Sequence, residues 1–277
     1  RFGARKPPAS AYAALSPVFH FRMEEGETLF VGGNFWDGRA TGEKLGNPAA
    51  DQAQGPFLNP LEQALPDSAC VVYRVCNPST PSDYPVKLQD VFGAATCRIA
   101  WPKTVQQTCA QEGKTVALSA KDRQRADQAY DKIALAIAAY EASPEVNAFT
   151  SKYDYYLAGK AKLTSQESKG LTLFAGKAQC ANCHTLTPGY TGEPLLTDFT
   201  YDNIGVPKNP ANPVYQGNPA FIDNGLSDFL ATRPEYAAYA SANGGKHKVP
   251  TLRNVDLRPT ATLVKAYMHN GYFKSLE

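Results

Sequence analysis

Five consecutive residues, Cys180-Ala181-Asn182-Cys183-His184, carry the most specific chemistry in this 277-residue chain. The spacing C-x-x-C-H is that of a c-type haem attachment site, where two thiols add to the vinyl groups of the porphyrin. The adjacent His184 imidazole then becomes an axial ligand of the iron. The pattern occurs once. The sequence therefore predicts one covalent haem c, held by Cys180, Cys183 and His184.

The iron then needs a second axial ligand or an open site on the face opposite His184. Met268 is the best candidate, because the chain has only two methionines and this one lies well downstream in the segment 267–271. A thioether opposite histidine raises the reduction potential of a haem and suits electron transfer. His269 is a second candidate. The alternative for Met268 is a core side chain that packs beside the haem.

Four further cysteines, Cys70, Cys76, Cys97 and Cys109, allow three disulfide pairings. We favour Cys70–Cys76 with Cys97–Cys109, since both bonds close short local loops. The even number, together with a covalent haem, indicates an oxidising compartment such as a bacterial periplasm. A metal site is the alternative, although the spacings fit no usual zinc pattern.

Charge and hydropathy argue against several classes of partner. The chain has 28 basic and 26 acidic residues, for a formal net charge of +2. This near neutrality gives no reason to expect nucleic acid or an anionic membrane surface as a partner. No apolar run reaches the roughly 18 residues that a membrane span needs. Hydrophobic residues make up 43% of the chain, enough for a buried core.

The elements that position the haem motif are expected to be helical. Residues 1–118 are predicted to be mostly loops, because proline and glycine recur throughout. A helix is predicted at about 119–141, with Ser119 as its N-cap and an apolar face at helical spacing. Another helix begins at the capping box Thr164–Glu167 and leads into the haem motif. A domain boundary is predicted near residue 160.

Several further segments resemble those of bacterial dihaem cytochrome c peroxidases and the related MauG enzymes. In the first half these segments are residues 35–40 (FWDGRA), 51–56 (DQAQGP) and 59–62 (NPLE). In the second half they are residues 199–207 (FTYDNIGVP), 248–255 (KVPTLRNV) and 267–271 (YMHNG). The motifs occur in the order of that family and span nearly the whole chain.

The resemblance implies a mostly α fold of two cytochrome c-like haem domains, with long loops and few strands. Residues 1–160 would form the first domain, whose haem meets hydrogen peroxide. Residues 161–277 would form the second, whose haem accepts electrons and whose final helix is cut short. The family's first haem motif lies upstream of a segment that resembles residues 3–8. A second haem c is therefore expected to attach before Arg1, in a longer protein.

The resemblance also implies which residues act on peroxide. Gln52, Pro56 and Glu62 match a glutamine, a proline and a glutamate of the family at the same spacing. Glu62 would move a proton between the peroxide oxygens, Gln52 would hydrogen-bond the peroxide, and Pro56 would shape the backbone over the haem. Trp36 matches a tryptophan that lies between the two haems. Without the family, Glu62 is a carboxylate at a helix start and Trp36 an ordinary buried tryptophan.

Three basic residues complete the expectations from the family. Arg39 and Arg253 are expected to pair with a carboxylate or with a haem propionate. Lys6 stands where the family has an asparagine that helps to bind calcium between the domains. Because an ammonium group cannot ligate calcium, this replacement argues against a calcium site.

The resulting prediction is a periplasmic dihaem c-type peroxidase. It would reduce hydrogen peroxide to water with electrons from a small donor protein, a cytochrome c or a cupredoxin. Family members are often dimers, so a homodimer is open. Two alternatives remain: a MauG-like oxidase that acts on a protein substrate, and a non-catalytic electron-transfer cytochrome c with one haem. Methionine at position 268 favours the peroxidase, because MauG has a tyrosine as the corresponding ligand.

Overall fold

The computed structural model describes residues 2–77, 79, 82–258, 260 and 262–276. Short helices predominate and the few strands form two small antiparallel sheets, so the prediction of a mostly α fold is confirmed. The helices and strands in chain order are β1 (His20–Glu24), β2 (Glu27–Val31), α1 (Pro48–Leu58), α2 (Ser68–Cys76), α3 (Tyr84–Phe92), α4 (Val105–Thr108), α5 (Ala120–Glu141), α6 (Lys152–Leu157), α7 (Ser165–Ala175), β3 (Tyr201–Asp202), α8 (Val214–Gly217), α9 (Leu226–Ala231) and β4 (His247–Lys248).

Helix α5 organises the core of the first half and forms where the sequence predicts it. The Ser119 hydroxyl accepts the backbone N–H of Asp122 at 3.1 Å, which caps the first turn. Ala126 and Tyr130 lie on its buried face and pack in one cluster with Val72 of α2. Helix α1 also packs against α5. The predicted apolar face is therefore the contact surface for two further helices.

Two disulfides fasten α2 to the segment that follows it, in a pairing that differs from the one predicted. Cys70 is bonded to Cys109 and Cys76 to Cys97. The predicted Cys70–Cys76 bond is wrong because both residues lie on α2. Six residues along an α-helix rise about 9 Å, which exceeds the Cα separation of about 7 Å that a disulfide can bridge. Since all four thiols are paired with one another, the alternative of a metal site is excluded as well.

Three short helices, α1 to α3, lie in the region predicted as mostly loops, and hydrophobic periodicity did not reveal them. Helix α1 begins with Pro48 after Asn47, whose side chain accepts the N–H of Ala49 at 2.7 Å. At the start of α2, the side chain of Asp67 likewise accepts the backbone N–H of Ala69. Proline in a first turn starts helices rather than breaking them, because its fixed φ suits that position. The prediction of loops from proline content was therefore wrong at two positions, where proline lies in the first turn of a helix.

A second core joins the two halves of the chain. Phe19 and Phe30, from the β1–β2 hairpin region, pack with Tyr201, Leu226 and Phe229. The stacked rings of Phe19 and Phe30 lie 5.5 Å apart, and the Tyr201 ring meets Phe19 edge-on at 6.1 Å. These contacts cross the predicted boundary near residue 160. The division into two domains at that point stays a prediction.

Candidate haem centre

The predicted haem-attachment motif forms one compact turn directly after α7. The Thr164 hydroxyl accepts the N–H of Glu167, and the Glu167 carboxylate accepts the N–H of Thr164, so the predicted capping box is present. After α7 ends, a 3₁₀ turn at Cys180–Asn182 leads to Cys183. The N–H of His184 donates to the carbonyl of Cys180 at 2.9 Å. The turn therefore brings both thiols and the imidazole into one site.

The imidazole of His184 is oriented by a backbone contact. Its Nδ1 lies 2.9 Å from the carbonyl oxygen of Leu196. Since a carbonyl only accepts, Nδ1 carries the proton and donates it. The lone pair is then on Nε2, the atom that can bind iron, and the contact holds the ring as metal-bound histidines are usually held.

The two thiols of the motif are free, whereas the other four cysteines are bonded. Sγ of Cys183 lies 3.2 Å from a carboxylate oxygen of Asp202 and donates to it. Burial raises the pKa of the Cys183 thiol to about 12, and Asp202 adds to the rise. Cysteines that act in redox exchange have a lowered pKa instead. The site thus fits covalent haem attachment, in which sulfur ends as a thioether, better than a redox dithiol.

A cavity beside Met268 has a lining that suits haem. Its walls carry apolar side chains and four cationic ones, and the described residues that line it include no carboxylate. The apolar residues include Leu195, Phe199, Leu252 and Met268, and the cationic ones are Lys6, Lys248, Arg253 and Lys265. Haem is a flat apolar group with two propionate anions. The apolar part of this lining, with Met268 in contact with the cavity, fits a porphyrin, whereas Lys248, Arg253 and Lys265 already have hydrogen-bond partners of their own. Cys180, Cys183 and His184 are not among the described residues that line this cavity.

Trp36 links the first half of the chain to the Met268 segment. The side chain is buried, and its Nε1–H donates to the carbonyl of Lys6 at 2.7 Å. Its ring centroid lies 6.4 Å from that of His269, the residue after Met268. Trp36 also lines the cavity beside Met268. Trp36 and Met268 therefore line the same cavity, and a position of Trp36 between two haems stays a prediction.

Gln52, Pro56 and Glu62 lie apart from this cavity. Gln52 and Pro56 are half-buried and four residues apart on α1, so they share one face of the helix. Glu62 follows in the turn after α1 and is exposed, with Oε1 accepting the side-chain amide of Asn59 at 2.8 Å. Among the described residues that line the cavity, none of these three is present. All three belong to α1 or to the turn that follows it, and together they are called the group on α1.

Phe35 lies between the cavity and the group on α1, a position that its residue type and spacing do not indicate. Its ring packs against Gly55 of α1, where an added Cβ would meet it at 3.3 Å. Phe35 also lines the cavity with its neighbour Trp36. The Arg39 guanidinium lies 3.8 Å from the centroid of the Phe35 ring. The dipeptide Phe35-Trp36 thus runs from the α1 group to the cavity beside Met268.

Both arginines that were expected to pair do so with carboxylates. Arg39 Nη1 is 2.8 Å from Asp37, which also accepts from Arg5. Arg253 pairs with Asp154, which is buried. Neither arginine therefore needs a propionate to neutralise its charge.

Asp223, His247 and His269 lie close enough together to suggest a metal site, but two observations argue against one. Arg5 donates to both carboxylate oxygens of Asp223, at 2.6 and 2.7 Å. The rings of His247 and His269 stack face to face at 3.6 Å with an interplanar angle of 8°. Because histidine binds metals in the plane of its ring, stacked rings cannot share one ion with good geometry. Asp223 is therefore ion-paired with Arg5, and the two histidines are stacked on each other rather than arranged around an ion.

Calcium does not fit the place where the family binds it. Ca²⁺ takes about six to eight oxygen ligands. Lys6 occupies the position of the family's asparagine, and burial together with the charge of Lys265 lowers the pKa of the Lys6 ammonium. Two ammonium groups in one neighbourhood repel a divalent cation. The expectation from the sequence that Lys6 argues against calcium is therefore reinforced by Lys265.

The fold and the site together define a class: a mostly α protein of the cytochrome c type whose C-x-x-C-H turn fits covalent haem attachment. A sequence model of the family described as di-haem cytochrome c peroxidase matches residues 1–162. Since this match covers more than half of the chain, the chain belongs to the di-haem cytochrome c peroxidase family, as its motifs predicted. Among the described residues, no helix is both long and apolar enough to cross a membrane.

Individual relatives agree with this assignment. Methylamine utilization protein MauG of Paracoccus denitrificans (strain Pd 1222) is 34% identical over 276 residues, 99% of this chain and 58% of that protein. Cytochrome-c peroxidase IdrP1 of Pseudomonas sp. (strain SCT) is 30% identical over 154 residues, 51% of this chain and 37% of that protein. The crystal structure of the diheme peroxidase BthA from Burkholderia thailandensis E264 matches with a TM-score of 0.75 at 29% identity, covering 99% of this chain and 56% of that one. The chain thus spans little more than half the length of MauG and BthA.

Proposed function

We propose that this chain is the larger part of a dihaem c-type peroxidase. The reaction is H₂O₂ + 2 H⁺ + 2 e⁻ → 2 H₂O, with electrons from a small donor protein. Cys180, Cys183 and His184 would hold the haem at which electrons enter, with Met268 as its second axial ligand. The di-haem family implies a second haem, and this sequence contains only one C-x-x-C-H attachment motif. Membership of the family, together with relatives named as peroxidases, supports an oxidoreductase.

One observation carries the proposal: Phe35-Trp36 connects the cavity beside Met268 to the group on α1. Trp36 contacts the Met268 side through His269, and Phe35 contacts α1 at Gly55. An electron-transfer protein with a single haem has no need of a second, separate group of polar residues. The arrangement instead suits an enzyme in which electrons enter at one site and peroxide reacts at another.

When bound, the haems supply the redox chemistry at iron, and the residues on and after α1 would handle the protons. The Glu62 carboxylate is exposed, so it can accept a proton from one peroxide oxygen and return it to the other. This transfer lets water leave in place of hydroxide. The Gln52 amide can donate a hydrogen bond to the peroxide, and Pro56 limits the backbone conformations of the helix beside it.

The setting would be the bacterial periplasm. Two disulfides and two thiols reserved for a cofactor suit an oxidising compartment. The electron donor would be a small soluble redox protein, a cytochrome c or a cupredoxin.

A MauG-like oxidase acting on a protein substrate is the second candidate. The match to MauG over 99% of this chain favours it. Against it stands Met268, because the resemblance places a tyrosine at this position in MauG. The two activities differ in where the electrons come from: a small donor protein in the peroxidase, and a protein substrate in the oxidase.

The deciding experiment uses the full-length protein, purified with its haem from a periplasmic expression host. The intact mass under native conditions counts the haems, and we expect two. Peroxide consumption is then followed with a reduced cytochrome c and with a reduced cupredoxin as donors. Turnover with either donor supports the peroxidase. A single haem would favour the electron carrier, and two haems without turnover with either donor would favour the oxidase.

A further inference from the structure

Lys265 places its ammonium group inside a cage of backbone carbonyls. Nζ lies 3.1 Å from the carbonyl oxygen of Asn254, 2.7 Å from that of Val255 and 3.0 Å from that of Leu257. All three distances are those of hydrogen bonds. An ammonium group has three protons to donate and no acceptor. Its donors are therefore matched one to one with the three oxygens.

The cage is made by a tight turn, whose Asn254 carbonyl also accepts the backbone N–H of Leu257 at 3.1 Å. Residues 253–256 form the turn, and Asn254 adopts a left-handed backbone conformation with φ of 59°. Three carbonyl dipoles that point to one place repel one another unless a positive group lies between them. Backbone carbonyls of this kind are common ligands of hard cations such as calcium. Here a side chain of the same polypeptide supplies the charge.

The turn is joined to the segment that carries Met268. Lys265 is three residues before Met268 in the chain. Two residues after Lys265, the Tyr267 hydroxyl lies 3.4 Å from a carboxylate oxygen of Asp256 in the turn. At the other end of the turn, Arg253 forms its buried pair with Asp154. A group that fixes this turn therefore also fixes the start of the Met268 segment.

Lys6 adds a second positive charge to the same region. Its backbone N–H donates to the carbonyl of His269 at 2.6 Å, and its backbone carbonyl accepts from Trp36. Lys6 and Lys265 both line the cavity beside Met268. Burial, together with the charge of Lys265, lowers the pKa of Lys6. A divalent cation would have to enter against both charges.

We propose that Lys265 is a built-in cation that takes the place of bound calcium, holding the turn at 253–256 together with the carbonyl of Leu257 and positioning the segment that bears Met268. The protein is then independent of calcium, unlike what its family resemblance implies. The positioning role rests on the proposed ligation of haem by Met268, whereas the calcium independence does not.

The first experiment measures calcium in the haem-loaded, full-length protein. We expect no stoichiometric calcium by elemental analysis, and the same unfolding temperature with and without a calcium chelator. One calcium ion per chain, or a fall in unfolding temperature on chelation, would overturn the proposal. This result does not depend on any variant folding.

The second experiment restores a calcium site. In Lys265→Glu, a carboxylate replaces the ammonium, and an ion bound to it would lie about where Nζ lies. We expect calcium to raise the unfolding temperature of this variant by roughly 4 °C and to leave that of the wild-type protein unchanged. A folded Lys265→Glu protein that does not respond to calcium would show that the three carbonyls form no cation cage.

The third experiment tests the positioning of Met268. Lys265→Met keeps an unbranched side chain, one atom shorter, and removes its charge, and Lys162→Met is the control because Lys162 is exposed. We expect Lys265→Met alone to weaken the near-infrared charge-transfer band of methionine-ligated ferric haem and to shift the reduction potential of that haem. An unchanged band in Lys265→Met would refute the positioning role. Absence of the band from the wild-type protein would instead count against Met268 as ligand, and leaves the calcium results intact.

Discussion

Arg253 forms a bidentate salt bridge with the carboxylate of Asp154 in the protein interior. The contacts are Nη2 to Oδ1 at 2.7 Å and Nη1 to Oδ2 at 3.1 Å, and both side chains are only 5% exposed. The Arg253 guanidinium also lies 4.4 Å from the ring centroid of Phe149. Asp154 belongs to α6, and Arg253 belongs to the turn whose carbonyls bind Lys265. This salt bridge therefore joins two segments that are 99 residues apart in the chain.

The substitution Asp154→Asn is expected to destabilise the protein by about 3–5 kcal/mol, because it leaves a buried guanidinium without its counter-charge. Asp83→Asn is the control, since Asp83 pairs with Lys87 at an exposed site, where solvent screens the attraction and its loss should be much smaller. The measurement is urea unfolding of the haem-loaded protein. Equal losses in the two variants would contradict the importance of burial for this pair.

The same ion pair predicts a loss of stability in acid. Burial tends to raise the pKa of Asp154, but hydrogen bonds from Arg253 and Ser151 outweigh it and hold the pKa below its usual range. An aspartate in the unfolded chain titrates at about 3.9. The contribution of the pair is therefore fully present above about pH 4 and is lost as the pH falls further. Asp154→Asn should remove this part of the acid sensitivity.

The buried Lys248 predicts the opposite dependence of stability on pH. Nζ donates to Ser16 and Asn34 at 2.6 and 3.2 Å and to the carbonyl of Gly33, without a carboxylate among these partners. Burial lowers its pKa to about 7. In the unfolded chain a lysine titrates at about 10.4, so between these values the unfolded chain binds more protons. The free energy of unfolding should therefore rise with pH across this window, by up to about 1.4 kcal/mol per pH unit.

The test compares urea unfolding at several pH values between 7 and 10 in the wild-type protein and in Lys248→Met. The variant should lose the rise with pH, whatever its absolute stability. Lys162→Met, at an exposed position, should keep it. If Lys248→Met shows the same slope as the wild-type protein, Lys248 stays charged in the folded state throughout this range.

The disulfide pairing is open to a direct chemical test. Arg74, Lys87, Arg98 and Lys103 are trypsin sites that separate all four cysteines. Digestion without reduction should join peptide 45–74 to peptide 104–114, and peptide 75–87 to peptide 88–98, as detected by mass spectrometry. A linked pair of 45–74 with 75–87 would mean that α2 does not form as described. The 39-residue separation of Cys70 and Cys109 predicts that this bond contributes about 4 kcal/mol to stability.

Features encoded in a short stretch of chain were predictable, and features made by the fold were not. The haem motif and the capping box before it are each written in a few consecutive residues, and both form locally. The disulfide pairing depends on α2, a helix that separates Cys70 from Cys76. The roles of Lys248 and Lys265 could not be predicted, because a lysine side chain is usually exposed to solvent. Only the folded chain shows that both ammonium groups lie among backbone oxygens.

Trp36 should matter for electron flow between the two halves, and Trp101 offers a matched control. The chain has only these two tryptophans, and Trp101 packs on Tyr73 within the disulfide-linked part of the first half. Trp36→Phe should lower peroxide turnover about tenfold, a rise in barrier of about 1.4 kcal/mol, with haem content unchanged. Trp101→Phe should leave turnover intact. Equal effects of the two variants would mean that Trp36 acts only through stability.

Glu62 provides the most specific test of peroxide chemistry in this chain. It is exposed, and its contact with Asn59 leaves the second carboxylate oxygen available for proton transfer. Positioned proton transfer contributes about 10²–10⁴-fold to rates, so Glu62→Gln should lower peroxide turnover at least ~100-fold with a stability near that of the wild-type protein. The control is Glu27→Gln on the exposed β1–β2 hairpin. Because Glu62 does not line the cavity beside Met268, reduction by the donor should proceed at the wild-type rate in Glu62→Gln. If Glu62→Gln slowed both reduction by the donor and peroxide turnover, Glu62 would act in electron entry and not in the reaction with peroxide.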